Sequence, residues 1–258
     1  MTSALLFDGV TIRYPGSTMP AVVGLDLEIP RGQRVALVGP SGAGKSSLIS
    51  LANGLVLPTE GTVHTLGTDT RELGSRRHRS VRRMVGTVHQ DFALVGPLRV
   101  AHNVAAGRLG DMGRIRALGT LLRRRGVPEV AAALDRVGIG DKVWERADQL
   151  SGGQQQRVAI ARVVHQQPTL VLADEPVSSL DPARSKSVLD VLVELIEADP
   201  DRTLVASLHD AGLALSHCER VVGLRDGVVQ FDLPSASVTD EMLADLYAFE
   251  HLDEGTGA

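Results

Sequence analysis

A glycine-rich run early in the chain combines the residue types that bind phosphate groups. With the serine that follows, its residues are Gly39, Pro40, Ser41, Gly42, Ala43, Gly44, Lys45, Ser46 and Ser47. The spacing matches G-x-x-x-x-G-K-[ST], in which glycines let successive backbone N–H groups point at phosphate oxygens. We expect Lys45 to reach the β- and γ-phosphates and the Ser46 hydroxyl to ligate Mg²⁺. Unrelated ATPases and GTPases share this pattern, so it predicts a nucleotide site and nothing narrower.

Two adjacent carboxylates, Asp174 and Glu175, follow the short apolar run 170–173. A strand there would bring both side chains to a sheet edge beside the phosphate-binding run. Asp174 would then serve Mg²⁺, directly or through a water molecule, and Glu175 would polarise the water that attacks the γ-phosphorus in line. Taken alone, the pair would only end a strand at the surface. Next to a phosphate site, catalysis is the better interpretation.

A second anion site is predicted at Ser151-Gly152-Gly153-Gln154. Ser151 stands where a helix N-cap belongs, because Val158, Ala161 and Val164 follow at helical spacing. The amides and dipole at a helix N-terminus attract anions. Since one phosphate site already exists in the chain, this one would close on a γ-phosphate held by a partner chain. That arrangement predicts a dimer that forms with ATP and separates after hydrolysis.

His209 follows the apolar run 203–208, which we interpret as a buried strand. At the end of that strand its ring can donate a hydrogen bond to the γ-phosphate and so detect whether the group is present. A core histidine with satisfied hydrogen bonds is the structural alternative.

In this order along the chain, the phosphate-binding run, the Ser-Gly-Gly-Gln run and the Asp-Glu pair resemble the ATP-binding cassette (ABC) ATPase family. The resemblance covers roughly residues 3–235. It implies a cassette in which two chains sandwich two ATP molecules head to tail. The implied fold is α/β: a P-loop NTPase (RecA-like) core with an inserted α-helical subdomain and an N-terminal antiparallel β region.

The resemblance also implies roles for three further sites. Gln90 matches the Q-loop glutamine that contacts Mg²⁺ and the attacking water, and Tyr14 matches the aromatic residue that stacks on adenine. Ser179-Leu180-Asp181 matches the D-loop, which crosses the dimer seam. The alternatives are a polar strand end for Gln90 and a packed strand tyrosine for Tyr14. Asp181 can also cap a helix that starts at Pro182, and both interpretations of Asp181 are compatible.

The resemblance implies a single ABC ATPase domain over residues 1–258, and the hydrophobic pattern divides it into regions. Residues 1–90 and 166–230 are predicted to form the nucleotide-binding core, 91–165 a helical subdomain carrying Ser151–Gln154, and 231–258 a C-terminal tail. The first region is predicted to be β-rich with one helix, which starts after Lys45 and stops near Gly54. Other predicted elements are a strand at 35–38, a helix at 127–137, a strand at 170–173, a helix at 185–198 and a strand at 203–208.

Composition narrows the class of protein. The 258 residues carry a net charge of −4 and are 43% hydrophobic, which is ordinary for a soluble domain and does not favour nucleic acid as a partner. No stretch approaches the roughly 20 consecutive apolar residues that span a bilayer, and the first residues do not resemble a signal peptide. The single cysteine, Cys218, excludes an internal disulfide and suits a reducing cytoplasm. A membrane role would therefore require a separate membrane-embedded partner.

Two arginine-rich segments, 76–83 and 114–125, remain outside these motifs. We interpret them as solvated basic faces. Contact with anionic lipid headgroups or with an acidic loop of a membrane partner is the alternative.

Within the family, two regions resemble the ATPase subunits of phosphonate-type importers, which also serve phosphate and phosphite. They are 90–95 with 103–110, and Arg146–Arg157. The chain departs from many importer subunits at 99–103, where such subunits meet the permease. The resemblance predicts an ATPase coupled to transmembrane transport (a translocase) that energises uptake of phosphonate or a related phosphorus oxyanion.

The predicted assembly is a homodimer at the cytoplasmic face of the inner membrane, attached peripherally. Its partners would be two integral-membrane permease subunits and an extracytoplasmic substrate-binding protein, and its cofactors ATP and Mg²⁺. One alternative is the ATPase subunit of a non-transport complex such as a carbon–phosphorus bond-cleaving assembly. Another is a DNA-repair or chromosome ATPase, which would need a long coiled coil that this sequence lacks.

Overall fold

The computed structural model describes residues 3–74, 79–111 and 127–248. Its strands are β1 (Ser3–Ile12), β2 (Val22–Pro30), β3 (Arg34–Val38), β4 (Glu60–Thr65), β5 (Thr68–Asp69), β6 (Val85–Val88), β7 (Leu170–Asp174), β8 (Thr203–Ser207), β9 (Arg220–Arg225) and β10 (Val228–Pro234). Its helices are α1 (Lys45–Ala52), α2 (Arg79–Met84), α3 (Val100–Ala105), α4 (Val127–Arg136), α5 (Gly152–Gln166), α6 (Pro182–Glu197), α7 (Ala211–His217) and α8 (Asp240–Tyr247).

A six-stranded sheet in the order β10-β9-β3-β8-β7-β6 forms the centre of the molecule. The strands from β9 to β6 run parallel, and only β10 at the edge is antiparallel. Strand β8 is buried along its whole length and β7 along all but its last residue. Such continuous burial is typical of parallel strands covered on both faces. The carboxyl ends of β3, β8, β7 and β6 therefore lie side by side at one edge of the sheet.

A four-stranded antiparallel sheet, in the order β2-β1-β4-β5, packs over α1 on one face of the central sheet. Leu5 and Ile29 from this sheet share a core with Leu48 of α1 and with Leu172 of β7. Each of these four side chains is almost completely buried. This sheet is the N-terminal antiparallel region predicted from the sequence.

The helical segment covers the opposite face of the central sheet. Helices α3 and α4 both pack on α5, and Val104 and Ile160 belong to the same core as Val171 of β7 and Leu192 of α6. Helix α5 has apolar residues on one face, and this face packs against the central sheet. The helical segment therefore shares its core with the sheet.

Several predicted element boundaries differ from the structure. Helix α6 starts at Pro182, three residues before the predicted start, because the Asp181 side chain caps it and proline is favoured in the first turn. Strand β8 ends at Ser207, one residue early. The predicted β-rich first region contains a second short helix, α2.

The C-terminal part also differs from the predicted division at 230/231. Strand β10 continues through that point to Pro234, because its pairing with β9 extends to Arg220. Helix α8 follows, and its Leu246 is buried in the core that includes the helical segment.

No helix within residues 3–74, 79–111 and 127–248 is long and apolar enough to cross a membrane. Of the two arginine-rich segments, Arg79, Arg82 and Arg83 lie on α2. Residues 76–78 of the first segment and the whole of the second segment, 114–125, lie outside the described residues.

Candidate active site

The glycine-rich loop connects β3 to α1 and requires glycine at two close backbone contacts. Gly39 has φ 144°, and a Cβ there would lie 1.9 Å from the carbonyl oxygen of Leu224. Gly44 has φ 103°, and its Cβ would lie 2.5 Å from the carbonyl oxygen of Ala21. Both the positive φ and the lack of space exclude other residues. The loop backbone is therefore held in place by its neighbours.

Lys45 places a positive charge inside this loop. Its side chain is only 5% exposed, and its Nζ donates hydrogen bonds to the carbonyl oxygens of Gly39 at 2.6 Å and Pro40 at 2.9 Å. The first turn of α1 adds backbone N–H groups next to this ammonium. Together they form a surface that attracts phosphate oxygens.

A residue of the tail also contacts the loop. The backbone N–H of Gly39 donates to the hydroxyl oxygen of Tyr247 at 3.1 Å. Arg225 of β9 donates to the carbonyl oxygen of Asp245 and so fastens α8 beside the loop. The sequence contained no signal for this contact, because it joins residues about two hundred positions apart.

Ser46 and Asp174 form an oxygen-rich pair. The Ser46 hydroxyl donates to Asp174 Oδ1 at 2.9 Å, and the Ser207 hydroxyl donates to the same oxygen at 2.7 Å. Asp174 and Ser207 are register partners at the carboxyl ends of β7 and β8. Hydroxyl and carboxylate oxygens are the ligands that Mg²⁺ prefers. The chemistry of this pair therefore fits the cation predicted for the site.

Glu175 is held in place from two sides. Its φ of 48° is unusual for a residue with a side chain. Its N–H donates to the Ser207 hydroxyl at 2.8 Å, and its carbonyl oxygen accepts from Gln156 Nε2 at 3.0 Å and from Ser178. The backbone that carries the carboxylate therefore has hydrogen-bonded partners on both sides.

Gln90 and His209 converge on the two carboxylate oxygens of Glu175. Gln90 Nε2 donates to Oε2 at 3.2 Å, and His209 Nε2 lies 2.6 Å from Oε1. The Glu175 side chain is 15% exposed and that of His209 46% exposed. The structure thus brings together three residues that lie at positions 90, 175 and 209.

Gln156 and Ser207 are site residues that sequence reasoning missed. Gln156 is 1% exposed on α5, and its Oε1 accepts the N–H of Ser179 at 3.2 Å while its Nε2 binds Glu175. Ser207 is a buried hydroxyl at the end of the otherwise apolar strand β8, whereas Gln156 is buried on α5 between a glutamine and an arginine. Buried polar side chains need partners, so the apolar run before Ser207 was a signal that could have identified it. The sequence around Gln156 is polar and contained no such signal.

The Ser151–Gln154 run starts α5 as predicted. Ser151 is the N-cap, its hydroxyl accepts the N–H of Gln154, and Gln154 Oε1 accepts the N–H of Ser151 at 2.9 Å. Gly153 fits against Ser179 and Leu180, since a Cβ there would lie 3.0 Å from the Leu180 side chain. Among the described residues, the side-chain hydrogen bonds of Ser151 and Gln154 stay within this helix start. They do not reach the phosphate loop of the same chain.

Two predicted positions take up simpler structural roles. The Tyr14 hydroxyl donates to Ser47 at 3.2 Å, which places the half-exposed ring beside the start of α1. The Asp181 side chain accepts the N–H of Arg184 at 3.0 Å and caps α6. Nucleotide stacking by Tyr14 and a contact of Asp181 across a dimer seam remain predictions.

Burial affects the charged groups beside Gln90. Burial lowers the pKa of His89, and the positive charge of Arg162 lowers it further. Burial also lowers the pKa of Arg162, while Asp91 opposes that effect. His89 is therefore held in its neutral form near neutral pH.

A family model described as ABC transporter matches residues 22–178 of the chain. The chain belongs to the ABC transporter family. The family and the enzyme class predicted from the motifs are thereby confirmed.

Relatives of this ABC cassette carry the name phosphonates import ATP-binding protein PhnC. The protein of Anaeromyxobacter dehalogenans is 51% identical over 223 residues, which are 86% of this chain and 44% of that protein. The PhnC 1 protein of Pseudomonas syringae pv. tomato is 43% identical over 248 residues, 96% of this chain and 93% of the relative. The chain thus spans under half of the first relative and nearly all of the second.

Solved ABC cassettes share the fold. The dimeric structure of a bacterial ABC transporter cassette superimposes with a TM-score of 0.78 at 29% identity, covering 90% of this chain and 98% of that one. A dimeric post-hydrolysis cassette bound to ADP and Pi gives a TM-score of 0.75 at 30% identity over the same shares of the two chains. The predicted fold class, a P-loop core with inserted helices and an N-terminal antiparallel sheet, is confirmed.

Proposed function

We propose that the chain is the ATP-hydrolysing subunit of an importer for phosphonate or a related phosphorus oxyanion, such as phosphate or phosphite. The observation that carries the catalytic part is the convergence of Gln90 and His209 on the carboxylate of Glu175. The names of the relatives support the substrate class. The nucleotide carried by a solved cassette supports ATP as the substrate of the site.

The glycine-rich loop binds the phosphates in this proposal. Its N–H groups and the ammonium of Lys45 contact the β- and γ-phosphate oxygens, while Tyr14 stacks on the adenine ring. The carbonyl contacts of Lys45 fix its Nζ within the loop, so the charge is already in position when phosphate arrives. A positioned charge needs little reorganisation during the reaction.

Mg²⁺ would be held by Ser46, Asp174 and Gln90, all of which offer oxygen ligands. Bound there, it would neutralise charge on the phosphates. Ser207 keeps Asp174 oriented through its 2.7 Å hydrogen bond. The hydroxyl of Ser46 already lies within 2.9 Å of the same carboxylate oxygen, so two of the three groups are adjacent.

Glu175 orients the attacking water. Each carboxylate oxygen has more than one acceptor position, so the contacts with Gln90 and His209 leave capacity for a hydrogen bond from water. The carboxylate accepts that hydrogen bond and increases the nucleophilicity of the water oxygen. When the γ-phosphate is present, His209 would turn its N–H from Glu175 to that group, while Gln90 keeps its contact with the carboxylate, so the geometry depends on all three residues.

The assembly proposed is a homodimer at the cytoplasmic face of the inner membrane, without nucleic acid. Ser151–Gln154 of one chain would close on the γ-phosphate bound by the other, and the D-loop, Ser179–Asp181, would cross the seam. The exposed helix start at Ser151 and Gly152 supports this role, as do the dimeric solved cassettes. Two permease subunits and an external binding protein would complete the importer.

The test is growth of a deletion strain on a phosphonate as the sole phosphorus source, with uptake of labelled phosphonate measured in parallel. The wild-type gene should restore both, and Glu175→Gln should restore neither. Glu60→Gln, a charge-matched change at an exposed strand end, should behave like wild type. Unchanged uptake of phosphonate, phosphate and phosphite in the deletion strain would overturn the substrate class. Co-purification with soluble enzyme subunits alone would instead point to a carbon–phosphorus bond-cleaving assembly.

A further inference from the structure

We propose that Arg162 is a positioning residue that holds the Gln90 loop, residues 89–93, in the geometry that brings Gln90 to Glu175. The inference rests on the proposed function, because it assigns the loop's shape a part in ATP turnover. It adds a residue on α5 that touches neither nucleotide nor reacting atoms.

Arg162 binds two successive carbonyl groups of the loop. Its Nη1 donates to the carbonyl oxygen of Ala93 at 2.7 Å and its Nη2 to that of Phe92 at 3.0 Å. A guanidinium offers these two donors in one fixed plane, so it defines the separation and direction of both carbonyls. A lysine ammonium has no such planar pair of donors and would hold the two carbonyls less rigidly.

The two residues that Arg162 holds have strained backbones. Phe92 has φ 63° and Ala93 has φ 46°, in the left-handed region that residues with side chains rarely enter. Two such residues in succession require outside support. The N–H of Phe92 also donates to the carbonyl of His89 at 2.9 Å, so the turn encloses Gln90. Releasing the carbonyls would let the turn relax and move Gln90.

Placing a charged group here costs solvation, since burial lowers the pKa of Arg162. Neutral carbonyls are its hydrogen-bonding partners in the loop, and Asp91 supplies only a nearby opposite charge. Arg162 is partly buried, and its hydrogen bonds to the two carbonyls offset part of the lost solvation. The feature that uses these hydrogen bonds is the strained loop.

The position of Arg162 on α5 connects the loop to the rest of the site. The same helix starts at Ser151 and carries Gln156, which binds the carbonyl of Glu175. Gln156 and Arg162 are about 9 Å apart along the helix axis. One rigid helix therefore sets the backbone of Glu175 and the loop of Gln90 at a fixed spacing.

A double-mutant cycle between Arg162→Lys and Gln90→Ala tests the inference in the full-length chain. ATP turnover should fall roughly 10- to 100-fold in each single variant, the scale of a small misplacement in a site. The dissociation constant for ATP should stay within about twofold, because the phosphate loop is untouched. The double variant should be no slower than Gln90→Ala alone, since Arg162 acts through Gln90.

Arg157→Lys provides the matched control on the same helix. Arg157 donates to the carbonyls of Val137 and Gly138 rather than to the Gln90 loop. In the Arg157→Lys, Gln90→Ala double variant, the fold-losses in turnover of the two single variants should multiply, because Arg157 does not act through Gln90. A multiplicative effect for Arg162→Lys as well would overturn the inference, and so would unchanged turnover in that variant.

Ala93→Gly separates positioning from folding. Glycine enters the left-handed region without a steric penalty, so this change in the Arg162→Lys background should recover part of the lost turnover. Loss of cooperative melting or weaker ATP binding in Arg162→Lys, without recovery by Ala93→Gly, would show a structural role and overturn the inference. Failure of the proposed function itself would be seen elsewhere, as normal turnover by Glu175→Gln.

Discussion

The side-chain amide of Gln156 donates a hydrogen bond to the backbone carbonyl of Glu175 at 3.0 Å, from a helix that starts five residues earlier at the Ser151 cap. The amide oxygen of the same residue accepts the N–H of Ser179 at 3.2 Å. A single buried side chain thus joins the start of α5, the backbone of Glu175 and the loop before α6. If one of these segments moves, either the hydrogen bonds of Gln156 break or the other two segments move with it.

Replacing Gln156 with methionine should uncouple these segments while preserving their volume. The N–H of Ser179 loses its partner, which should lower the free energy of unfolding by about 1–3 kcal/mol. Turnover should fall roughly 10-fold through loss of alignment at Glu175, with unchanged ATP affinity. Chemical denaturation and steady-state ATP hydrolysis measure the two effects. Gln230→Met, at an exposed position on β10, should change neither, and equal behaviour of the two variants would contradict the account.

The glycines of the phosphate loop should differ in their tolerance of a methyl group. Gly39→Ala places a Cβ 1.9 Å from the Leu224 carbonyl oxygen, so the loop must shift. We expect a loss of about 3 kcal/mol or more in the free energy of unfolding, a severe overpacking effect. Gly42→Ala has open space around its Cβ and only the strain of φ 78°, which should cost about 1 kcal/mol. Denaturant titration ranks the two, and a larger loss at Gly42 would be inconsistent with the structure.

Stability should fall as the pH is lowered below about 6.5, the ordinary pKa of histidine. Burial lowers the pKa of His89 and of His165, and positive charge from Arg162 and Arg108, respectively, lowers each further. In that window the unfolded chain binds more protons than the folded chain, so the free energy of unfolding rises with pH. This loss of stability is complete once the pH is below the lowered pKa values of the two histidines in the folded chain.

The matching experiment measures the free energy of unfolding from about pH 7 to pH 5. The His89→Gln, His165→Gln double variant should show a shallower decline than the wild type. Equal slopes in the two proteins would mean that neither ring resists protonation in the folded state.

Local patterns made part of this site predictable. The glycine-rich run, the Asp174–Glu175 pair and the Ser151 cap each lie within a few residues, so spacing alone carries their chemistry. The parallel strands then bring separate motifs to one sheet edge, which the order of elements implied. The start of α6 was predicted three residues too late, because the buried residues of this helix begin only at Ser185, after the Asp181 cap and the first turn.

Contacts that depend on the placement of distant elements could not be predicted. Arg162 meets Phe92 and Ala93 only because α5 packs beneath the loop after β6. Tyr247 reaches Gly39 only because β10 carries the chain to the opposite end of the sheet and α8 returns it to the phosphate loop. Each residue is unremarkable in sequence, and its role follows from the packed arrangement.

The most direct test of the central claim is size-exclusion chromatography of Glu175→Gln in Mg-ATP, with its ATP turnover measured on the same sample. The amide keeps the side chain's shape but removes the carboxylate, so turnover should fall roughly 10²–10⁴-fold while binding survives. The variant should elute as an ATP-bound dimer. Adding Ser151→Arg should return it to monomer, because the larger side chain fills the helix start that would bind the partner's γ-phosphate. Hydrolysis at the wild-type rate would remove Glu175 from catalysis, and a dimer that forms without ATP would contradict closure on the γ-phosphate.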